Sequence, residues 1–163
     1  MSSFTIRNAR EGDANRCYEI ETAAYEGDEA ATLEKIAFRA ATYPEGFLVL
    51  EDAGELVGFI NSGCAHVVDL ANEALKDLSG HDPDAAHVVI LSVVVDPEHQ
   101  GLGLSQKLMT EFVTRMRREN KASIQLICKE HHVGLYERFG YSYLRPSASE
   151  HGGMQWHEMS MEL

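Results

Sequence analysis

The residues with the clearest chemical potential are two glycines in the stretch VDPEHQGLGLSQKLM, Val95 to Met109. Gly101 and Gly103 stand between an apolar run and a helical pattern of apolar residues. Glycine has no Cβ, so a ligand can approach the backbone N–H groups closely. A helix start adds unpaired N–H donors and the positive end of the dipole, which suit an anion such as pyrophosphate. A plain strand-to-helix connection also uses glycine, and spacing alone does not decide between the two.

Two other phosphate motifs do not match this turn. A P-loop requires Gly-Lys-Ser/Thr at the helix start, and GLGLSQ offers no Lys or Thr. The dinucleotide fingerprint requires a third glycine, whereas position 106 is Gln.

Metal and thiol chemistry are not indicated. His131 and His132 are adjacent, so their side chains diverge, and the sequence has no His-x-x-x-His or Cys-x-x-Cys spacing. Cys17, Cys64 and Cys128 are odd in number and widely spaced. We therefore predict no metal site and three reduced, buried thiols.

Hydrophobic periodicity predicts the elements that position the glycine turn. Strands are predicted for FTIRNA, GFLVLED, ELVGFINSGCA, HVVILSVVV, ASIQLIC, YSYL and MQWHEMSMEL, and helices for REGDANRCYEIETAAY, ATLEKIAFRAATY, the stretch after the turn, and VGLYERF. Ala53 and Gly54 indicate a hairpin between the second and third strands. Residues 66–86 read as an irregular surface flap with one short helical piece. The order β-α-α-β-β-β-α-β-α-β-β predicts an α/β sheet flanked by helices.

Composition narrows the functional classes. The chain has 163 residues, 44% hydrophobic and 25% charged, which fits one globular domain over 1–163. The net charge of −12 argues against nucleic acid, and favours a cationic partner if it does more than keep the protein soluble. No apolar run is long enough to span a membrane. The opening MSSFTIRNAREGD has no apolar signal core, so we expect a cytoplasmic protein.

With these features in place, the glycine turn resembles the acetyl-CoA signature Gln/Arg-x-x-Gly-x-Gly/Ala of the GNAT N-acetyltransferases. Gln100 and Gly103 match it, and Ser105 replaces the final small residue. LYERFGY, Leu135 to Tyr141, resembles the late helix-to-strand motif of the same superfamily. Four stretches of the chain are similar, in the same order, to stretches of the arylalkylamine (serotonin) N-acetyltransferase branch: YEIETAAY, GELVGFI, CKEHHVGLYERFGY and WHEMSMEL.

The resemblance implies the GNAT fold, with acetyl-CoA as cosubstrate between splayed parallel strands at about 87–95 and 123–128. It implies that backbone groups of Val93, Val94 and Val95 pair with the pantetheine arm. The amides of the glycine turn would hold the pyrophosphate; these residues are Gln100, Gly101, Leu102, Gly103, Leu104 and Ser105. Tyr136 matches the tyrosine near the CoA sulfur that protonates the leaving thiolate; the alternative is an apolar contact on a short helix.

The general base has two candidates. Vertebrate arylalkylamine enzymes carry a histidine pair on the central strand, and a gapless alignment from the glycine turn assigns those positions to Val89 and Leu91. His87 is a substitute on the same strand face, or else a strand-end residue near solvent. Glu29 matches the Glu of a similar Asp-Glu in the insect enzymes, and can also be read as the start of the second helix.

The sequence therefore predicts transfer of an acetyl group to a small primary amine of arylalkylamine or polyamine type, in a monomer or homodimer. Two alternatives stay open, a protein or peptide N-terminal acetyltransferase and a noncatalytic acyl-CoA-binding module.

Overall fold

The computed structural model describes residues 4–25, 30–149 and 151–163, and within these the chain forms seven strands and four α-helices. In chain order they are β1 Phe4–Asn8, α1 Ala14–Ala24, α2 Leu33–Thr42, β2 Leu48–Asp52, β3 Glu55–Ala65, β4 His87–Val95, α3 Leu104–Arg118, β5 Ser123–Cys128, α4 Val133–Arg138, β6 Ser142–Pro146 and β7 His157–Glu162. No helix in these ranges is long and apolar enough to cross a membrane.

The strands hydrogen-bond in the order β1-β2-β3-β4-β5-β7-β6. β4 and β5 are parallel, whereas β1–β2, β2–β3, β5–β7 and β6–β7 are antiparallel. The last strand in sequence thus lies inside the sheet and β6 lies at its edge. This mixed seven-stranded sheet with helices confirms the predicted α/β architecture.

One compact unit comprises Met1–Ser62 and Ser92–Phe112. The buried faces of α1 and α2 have helical spacing, which is why these two amphipathic segments form helices. Their apolar residues share a core with β2, β3 and the end of β4; it includes Cys17, Ile20, Ile36, Ala40, Phe47, Val49, Phe59 and Val94. The rings of Phe47 and Phe59, two members of this core, have centroids 5.7 Å apart.

The β2–β3 hairpin in this unit forms as its two turn residues predict. Ala53 has φ 51° and Gly54 has φ 89°, the pair of positive values that a type I′ hairpin turn requires. The register runs from Asp52–Glu55 to Leu48–Ile60, with an irregularity between Leu50 and Glu51.

The second compact unit comprises Gly63–Leu91 and Val113–Leu163. β5 pairs with β7 along its whole length, from Ser123–Glu162 to Cys128–His157. The parallel ladder between β4 and β5 covers three pairs, from His87–Ser123 to Val89–Gln125, and both strands continue beyond it. The two strands therefore part after Val89.

Several predicted elements are shorter in the structure, and for two of them the physical reason is clear. The helical piece within residues 66–86 is a single 3-10 turn, Glu73–Asp77, because a short segment between irregular stretches does not repay helix nucleation. β7 begins at His157 rather than Met154, because its pairing with β5 begins there. Cys17, Cys64 and Cys128 are buried and are not joined in disulfides, as predicted.

Candidate active site

The glycine turn joins β4 to α3 through a short 3-10 segment, Pro97–His99. The side chain of Asp96 caps that segment by accepting a hydrogen bond of 3.1 Å from the Glu98 amide. Gly101 and Gly103 follow with φ values of +83° and +73°, in the left-handed region that favours glycine. A Cβ built at either position meets no heavy atom within 4 Å. The backbone of the turn therefore faces open space rather than packed side chains.

The start of α3 suits an external anion. Acidic side chains are favoured in the first turn of a helix because they complement its dipole. The first turn of α3 has none, although the chain carries 26 Asp and Glu residues. Leu102 and Gly103 border a groove of about 730 Å³ beside the turn, which Lys107 and Glu111 also line. The residues present thus fit a pyrophosphate held by backbone amides.

The end of β4, which leads into this turn, is buried at Val94 and half-buried at Val93 and Val95. The Tyr25 hydroxyl donates a hydrogen bond of 3.3 Å to the Val93 carbonyl oxygen. Tyr25, directly after α1, therefore contacts the strand whose backbone is predicted to pair with pantetheine.

Glu21 of α1 links Ala31 to Ser92 of β4. The sequence analysis did not identify this residue. Its side chain is 1% exposed. One carboxylate oxygen accepts a 2.8 Å hydrogen bond from the Ser92 hydroxyl, and the other accepts a 2.6 Å bond from the Ala31 amide. The available signal was its place on the buried stripe of α1, next to Ile20 and one turn after Cys17.

Of the two candidate bases, the structure describes His87 and not Glu29. Glu29 lies outside the described residues. His87 begins β4 and is half-buried, and its Nδ1 lies 2.7 Å from the Ser123 hydroxyl oxygen, across the parallel pair. Its position is six residues before Val93, about 20 Å along a strand.

Tyr136 lies in the middle of α4, in the second unit, and is half-buried. Its ring makes edge-to-face contacts with Phe139 and Tyr141, at centroid distances of 6.1 and 5.9 Å. Burial raises the pKa of the Tyr141 phenol, so that ring stays protonated and acts as a support. These contacts fix the orientation of Tyr136 and leave room for either a packing or a proton-donating role.

Within the described parts of the chain, no three His, Cys, Asp or Glu side chains are grouped as a metal ion would require.

A match to a protein-family profile identifies the family of this chain. The profile of the acetyltransferase (GNAT) family matches residues 14–141, well over half of the chain. The chain belongs to the GNAT acetyltransferase family. This match confirms the superfamily indicated by the glycine turn and LYERFGY, and with it acetyltransferase activity.

Solved structures confirm the GNAT fold. The loading GNATL domain of CurA from Lyngbya majuscula has a TM-score of 0.85 at 16% identity, over 98% of this chain and 97% of that one. YncA, a putative acetyltransferase from Salmonella typhimurium solved with acetyl-CoA, has a TM-score of 0.71 at 24% identity over 99% and 94% of the two chains. The ribosomal-protein-S18-alanine N-acetyltransferase from Escherichia coli has a TM-score of 0.69 at 17% identity over 98% and 93%. No curated protein matches this sequence.

Proposed function

We propose that this GNAT acetyltransferase transfers the acetyl group of acetyl-CoA to a small primary amine of the arylalkylamine or polyamine type. Membership of the GNAT acetyltransferase family supports acetyl-CoA as the acetyl donor. The assignment of the acceptor class has two supports. One is the similarity along the chain to the arylalkylamine branch. The other is the net charge of −12, which attracts an ammonium substrate.

The observation that supports the acceptor site is the attachment of Tyr25 and Ala31 to β4. Tyr25 bonds to Val93, and Ala31 bonds to Glu21, which also binds Ser92. The two anchored ends flank a stretch that contains Asp28 and Glu29. Both ends of that stretch are therefore tied to β4 next to the predicted pantetheine residues.

Acetyl-CoA binding is assigned to the end of β4 and the turn after it. The backbone of Val93–Val95 would pair with the pantetheine arm as an added strand does. The amides of Gln100–Ser105 would hold the pyrophosphate without a basic side chain, consistent with the open glycines and the acid-free start of α3.

The amine attacks the thioester directly, by addition followed by elimination, without an acetylated enzyme. Glu29 takes a proton from the ammonium through water, and the neutral nitrogen attacks the thioester carbonyl carbon. The tetrahedral adduct collapses with cleavage of the C–S bond, and the thiolate leaves with a proton from the Tyr136 phenol. The second amine proton passes through water to the Tyr136 phenolate, which completes the amide and restores the phenol, and Glu29 releases its proton to solvent.

Glu29 is the better candidate base of the two. The His87 ring bonds to Ser123 at the start of β4, about 20 Å along the strand from Val93. This arrangement supports a role for His87 in joining the starts of β4 and β5.

The test of the base compares Glu29→Gln with Asp28→Asn, which removes the neighbouring carboxylate. Thiol release from acetyl-CoA should fall about 100-fold or more in Glu29→Gln, with CoA affinity by calorimetry unchanged, and only slightly in Asp28→Asn. Full activity of Glu29→Gln would exclude it as the base. His87→Gln, tested alongside, should retain turnover.

The acceptor class is tested with a panel of arylalkylamines, polyamines, amino acids and N-terminal peptides. The S18 enzyme, whose acceptor is a protein by its name, shares the fold. Faster thiol release with peptides than with free amines would favour an N-terminal acetyltransferase. CoA binding without thiol release from any acceptor would favour a noncatalytic module.

A further inference from the structure

The glycine turn is held at its two ends rather than along its length. Asp96 before it and Leu104 after it are buried. Of the residues between them, His99 is half-buried and the others are exposed. A segment with few packing contacts opens readily unless its ends are fixed. The contacts that fix Asp96 therefore decide how well the entry of the turn is held.

Asp96 is attached to the rest of its compact unit through both its backbone and its side chain. Its amide donates a 2.8 Å hydrogen bond to the Val57 carbonyl oxygen of β3. One carboxylate oxygen accepts from the Glu98 amide, and the other accepts a 2.9 Å hydrogen bond from the Arg16 guanidinium of α1. The Asp96 side chain is only 12% exposed. A carboxylate so shielded from water is costly to leave without a positive partner.

Arg16 joins α1 to β3 and to the start of the turn. Its Nε donates a 3.1 Å hydrogen bond to the Leu56 carbonyl oxygen, while a terminal nitrogen bonds to Asp96. It also contacts Glu19 and Glu55, whose side chains are each 65% exposed. Exposed ion pairs contribute little, so the pair with Asp96 carries the most weight. The planar guanidinium fork lets Arg16 hold the strand carbonyl and the carboxylate together.

The position of Asp96 is passed on to the residues that follow it. The His99 amide donates a 2.8 Å hydrogen bond to the Asp96 carbonyl oxygen. The His99 Nδ1 lies 3.6 Å from the carboxylate oxygen that Arg16 also contacts. Gln100 follows directly and is the first residue whose amide is assigned to the pyrophosphate. A displacement of Asp96 would therefore move the start of the predicted phosphate site.

We infer that Arg16 is a positioning residue for acetyl-CoA. By pairing with Asp96, it holds the entry of the glycine turn in the arrangement that binds the pyrophosphate. This inference rests on the proposed function, which assigns the pyrophosphate to the amides of Gln100–Ser105. A turn that adopts its binding arrangement only part of the time lowers the apparent affinity by that fraction. Because Arg16 acts through Asp96 and not on the reacting atoms, its loss weakens cosubstrate binding and spares the chemical step.

Calorimetric titration of the full-length chain with CoA tests the ion pair. Arg16→Ala should weaken CoA affinity about fivefold or more, in the range typical of coupled neighbouring residues. Asp96→Asn keeps an oxygen for the Glu98 amide but loses the charge, and should weaken binding similarly. The double variant should bind CoA no more weakly than the weaker-binding single variant, because both changes remove the same ion pair. Arg16→Lys keeps the charge and should recover part of the affinity.

The matched control is Arg7→Ala in the same unit. Arg7 is half-buried, as Arg16 is, and pairs with Asp13 at 2.8 Å and with Glu51 at 2.7 Å. Its loss should lower the melting temperature by an amount similar to that in Arg16→Ala and leave CoA affinity unchanged. In steady-state assays, Arg16→Ala should raise the KM for acetyl-CoA with kcat retained within about twofold.

A measurement without ligand follows the turn itself. The amide NMR resonances of Gly101 and Gly103 should shift in Arg16→Ala and in Asp96→Asn, and should keep their positions in Arg7→Ala. Thermal unfolding of each variant confirms that it is folded.

The outcomes separate this inference from the proposed function. Wild-type CoA affinity in Arg16→Ala, with amines still acetylated, overturns the positioning role and leaves the proposed function intact. Weaker CoA binding and shifted glycine resonances in Arg16→Ala, with no amine acetylated by the wild type, support the positioning role and overturn the proposed function.

Three further results would also overturn the positioning role of Arg16. An equal loss of affinity in Arg7→Ala would mean that general destabilisation accounts for the effect. Additive losses in the double variant would mean that Arg16 and Asp96 act separately. Weaker CoA binding without any shift of the glycine resonances would mean that the turn is not what Arg16 holds.

Discussion

A methyl group added at Gly103 can be compared with the same change at Gly54, which separates ligand binding from backbone strain. Gly103 has φ +73° and Gly54 has φ +89°, and a Cβ at either position meets no heavy atom within 4 Å. The left-handed conformation costs an L-residue about 1–2 kcal/mol. Both Gly→Ala variants should therefore lose about that much free energy of unfolding. At about 2–4 °C per kcal/mol, the two melting temperatures should fall by similar amounts.

Affinity for CoA should distinguish the two variants. The methyl group at Gly103 would stand in the turn where the pyrophosphate approaches the backbone amides, whereas Gly54 is in the β2–β3 hairpin. Loss of one hydrogen bond to a charged group costs about 1.5–3 kcal/mol, which weakens binding about 10- to 150-fold. Calorimetric titration with CoA, well below both melting temperatures, should show this loss for Gly103→Ala only.

Equal CoA affinity of the two variants would refute the pyrophosphate assignment, whether both bind as the wild type does or both are weakened alike. In the first case the turn is a plain connector. In the second, backbone strain alone accounts for the loss. Gly103→Glu adds a negative charge at the same point and should weaken binding further, and unchanged affinity there would lead to the same conclusion.

Three further predictions concern single side chains. Tyr136→Phe should lower kcat about 100-fold with CoA affinity unchanged, and equal losses of both would instead indicate a packing role. Glu21→Ala removes the carboxylate that accepts from Ala31 and Ser92, so denaturant titration should show a loss of about 1–3 kcal/mol in the free energy of unfolding; an unchanged midpoint would contradict this. Burial raises the pKa of Cys128 to about 11, so it is almost wholly the unreactive thiol at pH 8. Ellman's reagent should then label the three buried cysteines slowly in the native protein and fully in denaturant, and rapid native labelling would show that they are accessible.

Much of the fold could be predicted because its signals are local. The Ala53–Gly54 turn identifies the hairpin through the backbone freedom of its residues. The near-continuous apolar run of β4 identifies a strand buried on both faces. Element ends were less predictable, since the start of β7 depends on where β5 offers a partner.

The sequence by itself determined the order of elements, the glycine turn and the family, because periodicity, glycine and short motifs act over a few neighbouring residues. Only the tertiary structure decided which polar groups meet. Glu21 and Ser92 are separated by 71 residues, and His87 meets Ser123 across 36 residues. Such contacts depend on long-range pairing and packing, for which no local pattern in the chain carries a signal.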